Sequence, residues 1–213
     1  MNNELEQQSA QKKKEETGGF LFDALEMFVW SLAILLLLFT FVLRLCRVEG
    51  ASMENTLWDG ENLLLYSFAY EPKQDDIVVF HLTGEEENLE KMLVKRVIAT
   101  AGQTVEIDFK NNAIIVDGVP YDDEHAVLKN SSDVVIDRYL GNRPNWEYDA
   151  KTDSMTVTVP EGHLFVLGDN RNFSRDSRDS SIMFVDERCV LGKVILRVAP
   201  FTVFSGFFIL NFN

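Results

Sequence analysis

The sequence is poor in the residues that build disulfide scaffolds and metal centres. Its 213 residues include two cysteines and three histidines. Two cysteines cannot build a disulfide-dense scaffold, so we expect Cys46 and Cys189 to be free thiols. The histidines, His81, His125 and His163, are too scattered for the ligand spacing of a metal site. We therefore expect no metal and no other cofactor.

Positive charge is also scarce. The chain has 20 Lys and Arg against 34 Asp and Glu, which gives a net charge of −14. Proteins that bind a phosphate backbone need surplus basic residues, so a nucleic-acid partner is excluded. The hydrophobic fraction of 46% is enough to build a packed core, which excludes a disordered chain.

One long apolar segment lies near the N-terminus. Residues 27–43 carry no charge, and the run extends back to Phe20 past Asp23 and Glu26. A helix of about 20–24 residues spans the roughly 30 Å core of a bilayer. The sequence thus predicts a polar tail over 1–19 and a transmembrane anchor over 20–44. The alternatives are a cleaved signal peptide and a buried core helix, but the run is long, lacks a polar face and precedes no A-x-A site.

The charges that flank the anchor indicate its orientation. Lys12, Lys13 and Lys14 precede it, whereas Arg44 and Arg47 follow it. The side before the anchor thus has one basic residue more than the side after it, which favours a cytoplasmic N-terminus under the positive-inside rule. We expect a single-pass protein of the cell membrane, with the lipid bilayer as one partner and the rest of the chain outside the cytoplasm.

The segment after the anchor is predicted to be mainly β. Short stretches rich in β-branched and aromatic residues alternate with turn signals. Asn111-Asn112 predicts a hairpin between two of them. We expect a β domain over 45–200 with an insertion at about 119–150. The apolar segment 201–213 is predicted to be a final strand and membrane-proximal edge, or alternatively a re-entrant helix. The predicted strands are 62–68, 76–80, 93–101, 104–108, 113–116, 154–159, 163–167 and 193–198.

Two residues of this domain could form a nucleophile and its base. Ser52 lies among small residues directly after the anchor, and Lys95 interrupts an apolar strand pattern. Burial disfavours the ammonium form of a lysine, and a neutral amine beside a hydroxyl is a competent general base. The alternative is a lysine that snorkels at the rim of a sheet.

A third polar segment follows the predicted strand 163–167. Residues 168–179 are dense in charges, hydroxyls and amides, and paired Asp and Arg side chains can lock such a loop by bidentate ion pairs. Ser174 or Ser177 could orient a nearby amine. The alternative is a simple surface turn.

Together these segments resemble the bacterial type I signal peptidase family. The resemblance runs in the family's order from about Phe20 to Val198. It implies a signal-peptidase-like antiparallel β catalytic domain behind a single N-terminal transmembrane helix. The motifs that carry it are Gly50-Ala51-Ser52-Met53 with Thr56-Leu57, Asp75-Asp76-Ile77-Val78-Val79-Phe80, Val94-Lys95-Arg96-Val97-Ile98, and Gly168-Asp169-Asn170-Arg171 with Ser174, Asp176, Ser177 and Arg178.

The resemblance also implies roles for individual residues. Ser52 would be the nucleophile and Lys95 its general base, with Ser174 supporting the lysine and Asp176 paired with Arg178. The backbone N–H of Ser52 would contribute to the oxyanion hole. Some members add a hydroxyl two positions before the nucleophile, where this chain has Gly50.

Two further departures affect the local shape of the cleft. This chain has Asn55 where the family usually has a proline, and it lacks the usual Gly-x-Pro-Gly-Asp turn after the lysine strand, at residues 99–103.

The implied substrates are exported preproteins, cut after small residues at positions −1 and −3 near the secretion translocon. Their side chains would enter shallow pockets formed by Gly50, Met53, Leu57, Leu93 and Val94. A catalytically inactive, membrane-tethered β domain that binds exported peptides is the alternative function. A self-cleaving repressor would need a DNA-binding module, and a sporulation-type signal peptidase would have histidine in place of Lys95.

Overall fold

The computed structural model describes residues 2–82, 91–122, 146–179, 181–198 and 209–210. The chain divides into two compact units, Met1–Leu43 and Arg44–Asn213. The first unit consists largely of one helix, and the second contains the β-sheets and every candidate site residue.

The helix α1 spans Asn2–Phe41. Its part Phe22–Phe41 is long and apolar enough to cross a membrane. The two hydroxyls in this part bond within the helix, from Ser31 Oγ to the carbonyl of Phe28 and from Thr40 Oγ1 to the carbonyl of Leu36. Such internal bonds satisfy polar groups where no water is present. The helix ends before Arg44, because the chain enters a strand at Leu43.

The second unit is built from two antiparallel sheets. One sheet has the strand order β1-β2-β12-β3-β4-β10-β11, with β13 paired to β12, and the other has the order β7-β6-β5-β9-β8. The strands are β1 (Leu43–Arg47), β2 (Asn62–Tyr66), β3 (Ile77–Leu82), β4 (Lys91–Ala99), β5 (Thr104–Asp108), β6 (Ala113–Val116), β7 (Val119–Pro120), β8 (Trp146–Asp149), β9 (Ser154–Thr158), β10 (His163–Leu167), β11 (Val185–Asp186), β12 (Val190–Val198) and β13 (Ile209–Leu210).

The predicted mainly β fold behind an N-terminal apolar helix is confirmed. The bounds of β5, β6 and β10 coincide with the predicted ones, and β5 pairs with β6 in the predicted hairpin. Asn112 in that hairpin has a φ of 53°, a conformation that asparagine adopts more readily than most residues. The strands β1, β7, β8 and β11 were not predicted. β7 and β11 have two residues each, too few for a periodic signal, whereas β1 overlaps the end of the predicted anchor and β8 lies in the predicted insertion.

A hydrophobic core lies between the two sheets. Ile98 of β4 and Phe165 of β10 are fully buried against residues of β5, β6 and β9. Strand β4 is therefore central, with neighbours on both edges and buried side chains on both faces. A second buried cluster contains Met53, Leu57 and Val94, and it packs the turn after β1 against the first sheet.

Two predicted segments lie partly outside the described residues. The insertion at 119–150 begins with β7 and ends with β8, and residues 123–145 are not described. In the C-terminal segment 201–213, Ile209 and Leu210 pair with Val198 and Arg197 of β12. The other residues of that segment lie outside the described part.

Candidate active site

The side chains of Ser52 and Lys95 are in contact. Lys95 Nζ lies 2.7 Å from Ser52 Oγ and 2.9 Å from the carbonyl oxygen of Val94. Ser52 lies in the turn after β1, and Lys95 lies near the middle of β4. The lysine side chain is almost fully buried, with 2% exposed. Lys95 therefore does not snorkel at a sheet rim.

Burial lowers the pKa of Lys95 to about 8, because desolvation penalises the ammonium. The carboxylates of Asp176 and Asp169 oppose this shift, since they stabilise the positive charge, and Arg178 adds to it. A substantial share of the amine is thus neutral in mildly alkaline solution, and a neutral amine can accept the proton of the neighbouring hydroxyl.

Asn170 holds the turn that carries Ser52. Its backbone N–H donates to the carbonyl oxygen of Ser52 over 3.1 Å. Its side-chain Nδ2 donates to the carbonyl oxygen of Ala51 over 3.0 Å. Asn170 is 5% exposed, so these bonds are shielded from water. The loop after β10 therefore fixes the backbone on which the serine hydroxyl is mounted.

A buried ion pair connects β4 to the same loop. Arg96 donates from Nε and Nη2 to the two carboxylate oxygens of Asp169 over 2.8 and 2.7 Å, and from Nη1 to the carbonyl oxygen of Asp75. Burial disfavours the charge on Arg96, but the bonds to Asp169 outweigh it and raise the pKa of Arg96. Alternation sends Lys95 and Arg96 to opposite faces of β4, so consecutive basic residues serve different partners.

The later part of the loop is held by a second buried pair. Arg178 contacts Asp176 through Nε at 2.9 Å and Nη2 at 3.0 Å, and the N–H of Gly168 donates to Asp176 Oδ2. Burial alone would raise the pKa of Asp176, but Arg178 and these hydrogen bonds lower it below its ordinary value. Ser177 Oγ accepts a hydrogen bond from the N–H of Val166. The segment 168–179 is therefore a locked loop and not a simple surface turn.

Ser174 lies against Gly168 in this loop. A Cβ atom added to Gly168 would lie 2.1 Å from Ser174 Oγ and 2.5 Å from the carbonyl oxygen of Ser52. Ser174 Oγ is buried beside Asp176, and it is one of the groups that lower the pKa of that carboxyl. The hydrogen bonds of Lys95 Nζ go to Ser52 and Val94, so the supporting role of Ser174 stays a prediction.

The residues predicted to line substrate pockets differ in exposure. Gly50 is exposed and donates its N–H to Asp59 Oδ1, and Leu93 is half-buried. Met53 and Leu57 are 1% and 0% exposed and pack with Val94. These three side chains therefore belong to the packed core beneath the turn that carries Ser52, and their contact with a substrate stays a prediction.

Sequence reasoning gave no role to four of the residues that connect these elements. Their bonding partners lie far away in the sequence, so no local pattern indicated a role for them. The four residues are Thr56, Arg96, Asp169 and Asn170. The run of two basic residues inside an apolar strand was the signal that could have revealed Arg96, because a buried guanidinium requires a carboxylate partner.

A family model described as signal peptidase, peptidase S26, matches residues 21–199. The chain therefore belongs to this family. It is a serine endopeptidase, a hydrolase that acts on exported preproteins carrying signal peptides. The apolar N-terminal helix fits a membrane-anchored protein.

Similar proteins include signal peptidase IB of Staphylococcus aureus, which is 30% identical over 190 residues that cover 86% of this chain and 90% of that protein. A probable signal peptidase I-1 of Synechocystis is 32% identical over 189 residues, covering 85% of this chain and 84% of that protein. Among solved structures, a signal peptidase I of Enterococcus faecalis V583 is 29% identical and covers 59% of this chain and 97% of its own, with a TM-score of 0.39.

Proposed function

We propose that this chain removes N-terminal signal peptides with Ser52 as the nucleophile and neutral Lys95 as the general base. The observation that carries the proposal is the 2.7 Å contact between Lys95 Nζ and Ser52 Oγ, made by a lysine that is 2% exposed. A lysine in water would be protonated and unable to act as a base, whereas a buried one is poised near the working pH.

The proposed reaction proceeds through an acyl-enzyme. Lys95 takes the proton of Ser52 Oγ as the oxygen attacks the carbonyl carbon of the scissile bond. The resulting ammonium gives that proton to the leaving amine, and a water molecule activated by Lys95 then hydrolyses the ester. The carboxylates of Asp176 and Asp169 raise the pKa of Lys95, so they stabilise the ammonium at the intermediate stages.

The oxyanion would be bound by backbone groups. The N–H of Ser52 makes no hydrogen bond to any described residue, so it is available as a donor. Gly50 offers no hydroxyl, and its own N–H is bonded to Asp59. A second donor must therefore come from another backbone group or a water molecule.

The substrate would bind as an added strand along β4. Strand β3 pairs with β4 from Lys91 to Arg96, whereas the pairs of β10 with β4 run from Arg96 to Ala99. Among the described residues, the first half of β4 thus has a partner on one edge only. An extended peptide can hydrogen-bond to the other edge, which would bring its scissile bond to Ser52.

Side chains alternate in direction along an extended peptide. In the proposed complex the residues at −1 and −3 face shallow pockets near Leu93 and Gly50, and the residue at −2 points away. Replacing alanine by leucine at −1 of a preprotein is expected to slow cleavage by about 10²-fold, because overpacking a small pocket costs about 1–3 kcal/mol.

The measurement is kcat/KM for cleavage of the purified preprotein by the full-length protein in detergent. The matched control is the same alanine-to-leucine change at −2, which should alter kcat/KM less than about threefold. Equal losses at −1 and −2 would show that the pockets do not select small residues.

Activity is expected to fall on the acid side of pH 8. The pKa of Lys95 is lowered to about 8, and the protonated amine cannot accept the serine proton. The logarithm of kcat/KM should therefore drop with unit slope as the pH decreases below about 8. The measurement is kcat/KM between pH 5 and 10. The melting temperature is recorded at each pH, because this separates unfolding from the titration of Lys95. A flat profile down to pH 6 would contradict a neutral-lysine base.

We also propose a topology. The tail 1–19 would lie in the cytoplasm, 20–44 would cross the bilayer, and the catalytic domain 45–200 would lie outside near the translocon, with 201–213 close to the membrane. Lys12, Lys13 and Lys14 before the apolar segment support this orientation. Digestion of the domain by protease added to intact cells with a permeabilised wall checks it.

A further inference from the structure

The turn that carries Ser52 is held at its far end by Thr56. Thr56 Oγ1 donates to Asp169 Oδ2 over 2.5 Å. The carbonyl oxygen of Thr56 accepts a hydrogen bond from Arg197 Nη1 over 3.3 Å. At the near end, the carbonyl oxygen of Ser52 accepts from the N–H of Asn170. The turn is therefore attached to the loop after β10 by two consecutive loop residues, Asp169 and Asn170.

The acceptor of the Thr56 hydroxyl is itself immobile. Asp169 is 0% exposed, and both of its carboxylate oxygens are bonded to Arg96. A hydrogen bond to an ionised acceptor is stronger than one between neutral groups. Threonine is branched at Cβ, so it has few rotamers. Fixing its hydroxyl therefore fixes the backbone of the turn as well.

We propose that Thr56 is a positioning residue for Ser52. Its hydroxyl, bonded to the Asp169 carboxylate, keeps the turn against the loop after β10 and so keeps Ser52 Oγ at hydrogen-bonding distance from Lys95 Nζ. The proposal rests on the proposed function of Ser52 as nucleophile. A shift of the turn misaligns the attacking oxygen and leaves the substrate-binding edge of β4 in place. Loss of the Thr56 hydroxyl should therefore lower kcat more than it raises KM.

The first test compares two replacements in the full-length protein in detergent. Thr56→Val keeps the shape and removes the hydroxyl, and Thr56→Ser keeps the hydroxyl. We expect Thr56→Val to lower kcat by about tenfold with KM changed less than about twofold, the effect of losing one hydrogen bond to a charged group. Thr56→Ser should retain kcat within about threefold.

Thr100→Val is the matched control. Thr100 is also half-buried, and its hydroxyl contacts Gln103 within its own turn, apart from the contacts of Ser52 and Lys95. Its replacement should leave kcat and KM unchanged. If Thr56→Val leaves kcat unchanged, or if Thr56→Ser loses as much as Thr56→Val, the hydroxyl does not position the nucleophile and the proposal is overturned.

A second test does not depend on catalysis. Amide hydrogen exchange is measured by mass spectrometry for peptides covering residues 50–57 and 168–171, in a Ser52→Ala background that cannot cleave itself. Thr56→Val should speed exchange in these peptides by about tenfold, and Thr100→Val should not.

The two tests separate the two proposals. If the unaltered protein cleaves no preprotein, the proposed function fails and the exchange experiment alone decides whether Thr56 holds the turn. If cleavage requires Ser52 but Thr56→Val changes neither kcat nor exchange, the positioning role alone fails.

Discussion

Replacing Ser52 with alanine is expected to lower kcat for preprotein cleavage by about 10⁴-fold or more. The replacement removes the attacking oxygen, so only the binding of the substrate and the oxyanion donors remain. The backbone contacts of the turn to Asn170 involve main-chain carbonyl groups, so the fold should persist. Cleavage of a purified preprotein, followed by gel or mass spectrometry, checks the loss, and the melting temperature checks the fold.

Lys95→Met should produce a loss of the same order. Since the two groups act as one unit, the double variant should be no worse than either single variant. Ser154→Ala and Lys151→Met are suitable controls, because Ser154 lies in β9 of the second sheet with its hydroxyl hydrogen-bonded to Thr152, and Lys151 is exposed in the turn before β9. Variants of Ser52 and Lys95 that cleave at the unaltered rate would contradict the assignment. An unaltered protein that binds but never cleaves preproteins would favour an inactive peptide-binding domain.

Lys95→Met also has a predicted effect on stability. The folded-state pKa of Lys95 is about 8 against an ordinary value of 10.5. The unfolded chain therefore binds more protons between these two values, and the stability that Lys95 contributes is lost as the pH falls toward 8. The free energy of unfolding of the unaltered protein should rise relative to Lys95→Met by about 3 kcal/mol between pH 8 and pH 10.5. Urea titrations at both pH values check this, and an equal difference at both would show that the lysine is not buried as an amine.

Gly168→Ala is expected to lower kcat by about 10²-fold. The new Cβ would lie 2.5 Å from the carbonyl oxygen of Ser52 and 2.1 Å from Ser174 Oγ. Contacts this short force the loop and the nucleophile turn apart, and a displacement of about 1 Å at a reacting group can cost 10²-fold in rate. The measurement is kcat and KM, with the loss expected in kcat.

Two further variants sharpen this prediction. Gly168→Ala combined with Ser174→Gly removes the clash with the Ser174 side chain but keeps the clash with the Ser52 carbonyl, so it should not restore activity. Gly19→Ala is the control, because nothing lies within 4 Å of a Cβ added to this helical glycine. Full activity of Gly168→Ala would mean that the loop can retreat without moving the serine.

Several features followed from local sequence alone. Residues 27–41, the last part of α1, have no charge, and in an apolar medium such a run of backbone can satisfy its own hydrogen bonds only as a helix. The strands β5, β6 and β10 matched their predicted bounds, because period-two alternation between turn residues is a local signal. The sequence of the insertion at about 119–150 has only a weak hydrophobic period, so no strand was predicted there, although the structure has β7 and β8 at its two ends.

The tertiary structure decided the contacts within the site. Ser52 and Lys95 are separated by 43 residues, Arg96 and Asp169 by 73, and Thr56 and Asp169 by 113. The sequence determined which groups carry charge and which strand holds Lys95. The desolvation that lowers its pKa depends on the elements that pack around β4, namely β3, whose Val78 pairs with Lys95, the turn that carries Ser52 and the loop after β10. That packing is a property of non-local strand pairing, which no local pattern encodes.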